Sequence, residues 1–373
     1  MIDEYIVKDD KKLRLGYTTG SCAVAATQAA LYALLYGIKK DRVDILTPKG
    51  ISLSLEVVDY SEGADGSVRC GVKKDAGDDP DVTNGIVIYS TVSISDEPGI
   101  FIDGGKGVGR VTRCGLDQEV KSAAINSVPR RCISEVCERL ILEYNEEADR
   151  VEKLSGARII IDVPGGEEVA LNTFNARLGI EGGISIIGTS GIVEPMSENA
   201  IIETIRTEIR VMANLDDSCL YITPGNYGMD FLREKFDIDL NKAVKCSNFV
   251  GEAMDAAKAA GVKRVCFVGH IGKLVKVAGG IMNTHSKVAD CRMEILTAYA
   301  ARCGIDSKGL SNILSSVTTD DALGIIKEYG KLDEVCQMLV ERIAYHIGHR
   351  VQNSFELSVF MFSKEFGLLA RCE

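Results

Sequence analysis

The chain has 373 residues, 46% of them apolar and 26% charged, with no Pro-, Gln- or Ser-rich tract, which excludes a disordered or fibrous protein and leaves room for two domains. Forty-three basic residues against fifty-four acidic ones give a net charge of -11, which excludes a general nucleic-acid or anionic-membrane binder and requires any anionic ligand to meet a local basic patch. No apolar run reaches membrane-spanning length and Met1 to Lys12 lacks a signal-peptide core, so a cytoplasmic location is expected; the twelve cysteines contain no CxxC pair and read as small buried hydrophobes.

Gly16 to Ser21 leads into the Ala-rich run Cys22 to Leu31, which predicts a helix entered through a hydroxyl cluster. Thr18, Thr19 and Ser21 there serve equally well as simple caps or as a site for a carboxylate or phosphate at the helix N-terminus. Val43 to Val58 alternates as strands do, with a turn at Pro48-Lys49-Gly50, and further strands are expected at Ser67–Val72, Gly85–Ile94 and Ile159–Val163. Between the first two lies Lys73 to Thr83, with Asp75, Asp78, Asp79 and Asp81 in seven residues. It lacks EF-hand spacing, so a polar ligand-facing loop is preferred to a metal site, and no metal is expected. Asp103 to Thr112 is glycine-rich without a following helix, which argues for a ligand-closing loop over a dinucleotide fingerprint. Leu178 to Gly191 predicts a short strand with tight bends.

Beyond Pro195 the pattern changes to alternating strands and helices, the mark of a parallel sheet. A helix from Ser197 to Met212 precedes a strand at Cys219–Thr223, a turn at Pro224-Gly225-Asn226-Tyr227-Gly228, a helix, a strand at Ala243–Lys245 and a helix at Phe249–Ala260. The apolar strand Arg264–Val268 then delivers Gly269-His270-Ile271-Gly272-Lys273, followed by Asn283-Thr284-His285-Ser286. Ligands in open α/β sheets bind at carboxyl ends of strands, so Gly225 and Gly269 are expected to share a cleft. The P-loop's longer spacing is absent. Helices through Ala344 and a strand at Phe355–Phe362, turning back at Gly367, complete the chain. The fold expected is an α+β domain over residues 1–195 and an α/β domain with a Rossmann-like, mostly parallel sheet over 196–373. Return of the C-terminal segment onto the first domain is left open.

Leu13 to Ala23, Lys74 to Thr83, Ala124 to Arg130, Thr173-Phe174-Asn175 with Leu178 to Ile186, and Gly269 to Lys273 with Asn283 to Ser286 together resemble the CbiD-type family of cobalt-precorrin-5B C1-methyltransferases. The family pattern has Thr and Pro where Ser21 and Ser127 stand, and Pro at Cys114. The resemblance implies S-adenosylmethionine-dependent methylation of carbon 1 of a corrin precursor in anaerobic cobalamin synthesis, with cobalt present only as part of the substrate. It also implies transient contact with neighbouring pathway enzymes, and leaves the oligomeric state open. Without it, a non-catalytic tetrapyrrole carrier is the strongest rival.

A substrate with many acetate and propionate groups suits Lys74, Arg110, Arg113, Arg130, Lys273 and the Thr18, Thr19, Ser21 helix start. His270 and His285 are the expected general bases, since histidine titrates near neutrality. The methyl donor, with ribose hydroxyls and a cationic sulfonium, suits Asp75, Asp78, Asp79 and Asp290, with Gly225, Asn226, Gly269 and Gly272 forming close-approach turns. Cys22 at a helix N-terminus is a conceivable nucleophile that the reaction does not need.

Overall fold

The computed structural model describes residues 4–8, 10–147, 153–215, 219–236 and 242–373. It divides into two compact units, Met1–Ser197 and Glu198–Glu373.

In the first unit β1 (Tyr5–Lys8) and β2 (Lys11–Arg14) form a hairpin, and β3 (Gly16–Tyr17) runs into α1 (Thr19–Tyr36). The extended Thr18 starts α1 by accepting the Ser21 N–H, and Gly37, at φ 69°, ends it by returning its N–H to Ala33 O. Alanines at 23, 25, 26, 29, 30 and 33 are buried, so small side chains let the helix lie close on the sheet. β4 (Arg42–Leu46), β5 (Ser52–Glu62), β6 (Val68–Lys73), β7 (Val87–Ser95) and β8 (Gly99–Gly104) follow. Short strands β9 (Gly107–Val108) and β10 (Arg110–Val111) then precede α2 (Ser127–Glu146) and β11 (Gly156–Asp162).

The main sheet has the order β4-β5-β6-β7-β11-β8 and is antiparallel except for the β11–β8 pair. β11 shows why these segments are strands: Ala157, Ile159 and Ile161 are buried while Ile160 faces outward, the two-residue period of a half-covered sheet. After it come α3 (Gly166–Ala170), α4 (Asn175–Leu178), β12 (Ile180–Glu181), β13 (Gly183–Ile184) and β14 (Ile192–Val193). These three strands pair with β10, β9 and β3, so the second glycine-rich stretch holds two two-residue strands instead of one, with a third just past its end.

The second unit opens with α5 (Glu198–Ala213) and continues β15 (Leu220–Thr223), α6 (Asn226–Phe236), β16 (Ala243–Lys245), α7 (Val250–Ala259), β17 (Arg264–His270) and α8 (Ile271–Ala278). Then come α9 (Arg292–Arg302), α10 (Ser307–Leu314), α11 (Thr319–Glu328), α12 (Leu332–Val351), β18 (Glu356–Ser363) and β19 (Gly367–Cys372). The sheet order is β16-β15-β17-β18-β19, parallel except for the β18–β19 edge. β17 is buried from Val265 to Gly269, as a central parallel strand must be when both faces are covered.

One expectation is corrected here. The turn expected at Pro224–Gly228 is the start of α6, where Gly228 and Met229 both donate to Gly225 O. The C-terminal segment, left open above as a return onto the first domain, pairs with β17 inside its own unit. α12 also runs past Ala344 and through Gly348, ending at the left-handed Gln352. Among the described residues no helix is long and apolar enough to cross a membrane.

Candidate functional site

Thr18, Thr19 and Ser21 are 8%, 3% and 5% exposed. Thr18 Oγ1 accepts the Ser21 N–H, Ser21 Oγ donates to Gly191 O, and Thr19 Oγ1 donates to Ile187 O while accepting its N–H. The Thr18 and Gly20 N–H groups go to Gly191 O and Ile187 O. The structure therefore departs from the expected carboxylate or phosphate site: segment 185–191 covers the α1 N-terminus, and its hydroxyls act as caps. Cys22 is fully buried, and burial pushes its thiol up, which leaves no thiolate nucleophile.

The aspartate loop is braced internally. Lys74, 2% exposed, places its ammonium on Asp81 and 2.7 Å from Thr83 Oγ1. Asp75 receives the Arg14 fork at 2.6 and 2.8 Å, which holds its carboxyl below the usual range. Asp78 accepts the Arg14 N–H at 2.6 Å, and Asp79 accepts the Met196 N–H at 3.3 Å while burial raises its pKa. Four residues expected to face ligands thus hold the loop in shape.

Arg110 and Arg130 do come together. Both line a cleft of about 520 Å³ with Asp103, Lys121, Ser122 and Ser127. Arg110 forks onto Asp103 at 2.7 and 3.0 Å; burial alone would raise that carboxyl, and the fork overrides it to leave a lowered pKa. Arg130 donates to the carbonyls of Ile102 (2.8 Å), Ile125 (2.8 Å) and Ala123 (3.3 Å), so it clamps two backbone segments behind the cleft. Arg113 instead donates to Arg177 O at 3.2 Å and packs over Gly179. Lys121 holds φ 78°, a strained left-handed conformation for a side chain of its size, on the cleft's rim.

In the second unit the carboxyl ends of β16, β15 and β17 lie side by side, and α7, α6 and α8 begin just beyond them. Glycines make the junctions possible. A Cβ on Gly228 would lie 1.7 Å from Thr223 Oγ1, and one on Gly269 would lie 2.1 Å from Leu274 Cδ1. Lys273 Nζ ties the edge together by donating to Pro224 O at 2.8 Å and Ser247 O at 3.3 Å, with burial lowering its pKa. A Cβ on Gly225 would be 4.0 Å from that ammonium, and Asn226 Oδ1 accepts from Lys245 Nζ at 3.0 Å. Gly225, Asn226, Gly269, His270, Gly272 and Lys273 are therefore one neighbourhood.

His270 ends β17 and caps α8: its Nδ1 accepts the Gly272 N–H at 3.1 Å. A neutral ring so bonded carries its proton on Nε2, which faces Asp320 Oδ2 at 4.0 Å. Burial lowers the His270 pKa, with Asp320 opposing and Lys364 adding to the shift, so the ring is neutral near pH 7. In this arrangement the nitrogen able to accept a proton is already engaged by the Gly272 N–H. His285 repeats the pattern, its Nδ1 accepting the Lys287 N–H at 3.1 Å. Its loop is anchored by the buried Lys276, which donates to Thr284 O and Ala289 O. Asp290 is taken up by Arg292 at 2.5 and 3.0 Å and lies 3.8 Å from Lys276.

Sequence reasoning missed Asp320 and Ser363, and had Tyr227 only as a member of the Pro224–Gly228 turn. Ser363, at the end of β18, donates to Asp320 Oδ1 at 2.6 Å, and the Tyr227 and Phe362 rings lie 6.0 and 5.7 Å from the His270 ring. A usable signal was Thr318-x-x-Asp321, the capping box that sets the first turn of α11 and with it Asp320.

The second unit thus has an α/β sheet, parallel but for one edge, with helices springing from a glycine-lined carboxyl edge. Comparison with known proteins narrows this. The CbiD family model matches residues 6–195, and the model of the CbiD C-terminal domain matches residues 283–373. Cobalt-precorrin-5B C(1)-methyltransferase of Ruminiclostridium cellulolyticum is 47% identical over 97% of this chain and 92% of its own length. The protein of the same name from Alkaliphilus metalliredigens is 47% identical over 100% and 95%, and that from a Thermoanaerobacter species is 44% identical over 99% and 98%. A crystal structure of the cobalamin biosynthesis protein cbiD from Archaeoglobus fulgidus is 32% identical, covers 74% of this chain and 83% of that one, and superposes with a TM-score of 0.40. The chain belongs to the CbiD family.

Proposed function

We propose that the protein transfers a methyl group to carbon 1 of cobalt-precorrin-5B, giving cobalt-precorrin-6A, with S-adenosylmethionine as donor. The observation that carries the reaction is near-full-length similarity to relatives bearing that name. The same proposal includes a cytoplasmic location and transient contact with neighbouring pathway enzymes that hand on the corrin precursor. We read residues 1–195 as an α+β domain and residues 196–373 as a Rossmann-like α/β domain.

The residues of the second unit fit a nucleoside-bearing donor: the edge is open beside Gly225, and partly exposed polar groups at His270 and Asp320 stand ready to pair. Gly225, Asn226, Gly269 and Gly272 would line that site, with Lys273 holding the edge in shape. When bound, the donor supplies an activated methyl group on a sulfonium. The protein's part is alignment, an effect worth about 7–11 kcal/mol in well-oriented systems. For the macrocycle's carboxylates we assign the cleft of Arg110 and Arg130, with Lys121 at its rim and Arg113 beyond it. His285 and Asp290 keep a place only as shape-holding members of the loop after α8.

Incubating the purified protein with S-adenosylmethionine and cobalt-precorrin-5B should yield a product one methyl group heavier by mass spectrometry. Binding of both ligands without methylated product would sink the enzyme reading and leave a carrier.

A further inference from the structure

The gap between His270 and Asp320 has its own chemistry. His270 Nε2 presents a hydrogen, because Nδ1 accepts the Gly272 N–H, and Asp320 Oδ2 presents lone pairs. At 4.0 Å the two are too far apart to bond each other. Among the described residues, neither atom has another hydrogen-bond partner. Asp320 is held in place from behind, since its other oxygen accepts from Ser363 Oγ at 2.6 Å. The side chains are 20% and 27% exposed, so a ligand can reach them.

One atom about 2.8 Å from each would bridge such a gap, provided that it both accepts and donates. A hydroxyl does so. A carboxylate or phosphate oxygen cannot donate to Asp320, and an ammonium cannot accept from His270. A sulfonium is disfavoured by Lys364, whose ammonium lies 3.6 Å from the centroid of the neighbouring Tyr227 ring. The exposed Tyr227 ring adds apolar surface beside the pair.

We propose that His270 and Asp320 form a hydroxyl-binding subsite that takes one ribose hydroxyl of the methyl donor, His270 Nε2–H donating to its oxygen and Asp320 Oδ2 accepting its hydrogen. This rests on the reading of the protein as S-adenosylmethionine-dependent, and it gives His270 a binding role in place of acid–base work.

The test is calorimetric titration with S-adenosylhomocysteine and with its 2′-deoxy and 3′-deoxy analogues, for the wild type and Asp320→Asn. Wild type should bind one deoxy analogue about 10- to 100-fold more weakly than the parent, as expected when a hydrogen bond to a charged group is lost. Asp320→Asn should weaken the parent by a similar factor and remove most of that discrimination. Retention of the full discrimination in Asp320→Asn overturns the subsite alone, whereas failure of wild type to bind the parent overturns the donor reading and the subsite with it. A variant-free measurement guards against misfolding: ¹⁵N-histidine spectra of the wild type should show the His270 Nε2 resonance shifting with the parent ligand and not with the discriminated analogue. Equal shifts with both overturn the proposal.

Discussion

Replacing Lys74 with methionine separates a structural brace from a ligand contact. The Lys74 side chain is 2% exposed and Asp81 is 26% exposed, and the ammonium sits on that carboxylate and on Thr83 Oγ1. Burial by itself would raise the Asp81 pKa; Lys74 and the Thr83 hydrogen bonds override it, so the carboxyl lies below its ordinary value. A carboxyl depressed in the folded state adds stability above its unfolded pKa of about 3.9, and that stability is lost as pH falls through the folded value. Methionine removes the charge and leaves Asp81 with burial as its main influence, so its pKa should move above the unfolded value and the sign reverse. Breaking a buried pair costs about 3–5 kcal/mol, and the partial exposure of Asp81 brings this to about 2–3 kcal/mol at pH 7. The loss should shrink as pH falls from 7 towards 4, because Asp81 in the variant takes up a proton before the wild-type carboxylate does. Urea unfolding followed by circular dichroism at both pH values measures it, and Lys74→Met/Asp81→Asn should recover part of the loss. A pH-independent loss would refute the pairing argument. An unchanged stability with weakened corrin binding would restore the ligand-facing loop.

Gly228→Ala should cost about 1–3 kcal/mol, because its Cβ would meet Thr223 Oγ1 at 1.7 Å; adding Thr223→Ala should return part of it in thermal unfolding. Arg130→Ala should lower stability by about 1–3 kcal/mol by uncapping the carbonyls of Ile102, Ala123 and Ile125, and should weaken macrocycle binding more than S-adenosylhomocysteine binding in paired titrations. Equal losses for the two ligands would remove the cleft from the substrate side. Because burial lowers the His270 pKa, the folded state resists protonation, so His270 contributes a loss of stability as pH falls below about 6.5. His270→Asn, whose side-chain oxygen can still accept the Gly272 N–H, should lose less stability between pH 7 and pH 5 than wild type does. A steeper acid loss in the variant would contradict that sign.

Patterns set by neighbouring residues were legible from the chain alone. The Ala-rich run of α1, the Pro48–Gly50 hairpin and the apolar strand at Arg264–Val268 all follow from local propensity and periodicity. Polar partnerships were not legible, because donors and acceptors are visible in a sequence while the distance between them is not. Thr19 finds Ile187, 168 residues away, and Arg14 finds Asp75, 61 residues away. Hydroxyls and carboxylates that looked available for ligands were thereby taken up by the backbone and by Arg14. The same blindness hid Asp320, which reaches His270 only because α11 starts beside the carboxyl ends of β17 and β18.

The two histidines alter how the chemistry is divided between protein and substrate. Each has its Nδ1 bonded to the backbone N–H two residues on, Gly272 for His270 and Lys287 for His285. To act as a base, either ring would have to accept a proton at that nitrogen and surrender the bond. For His270 the change would also uncap α8 and place a cation beside Lys364 in a half-buried setting. A neutral Nε2–H donor, by contrast, needs no rearrangement and is ready before the ligand arrives. Transfer of a methyl group that is already activated asks little of a base and much of alignment, so a pre-set donor at a rigid strand end matches that demand better than a titrating ring does.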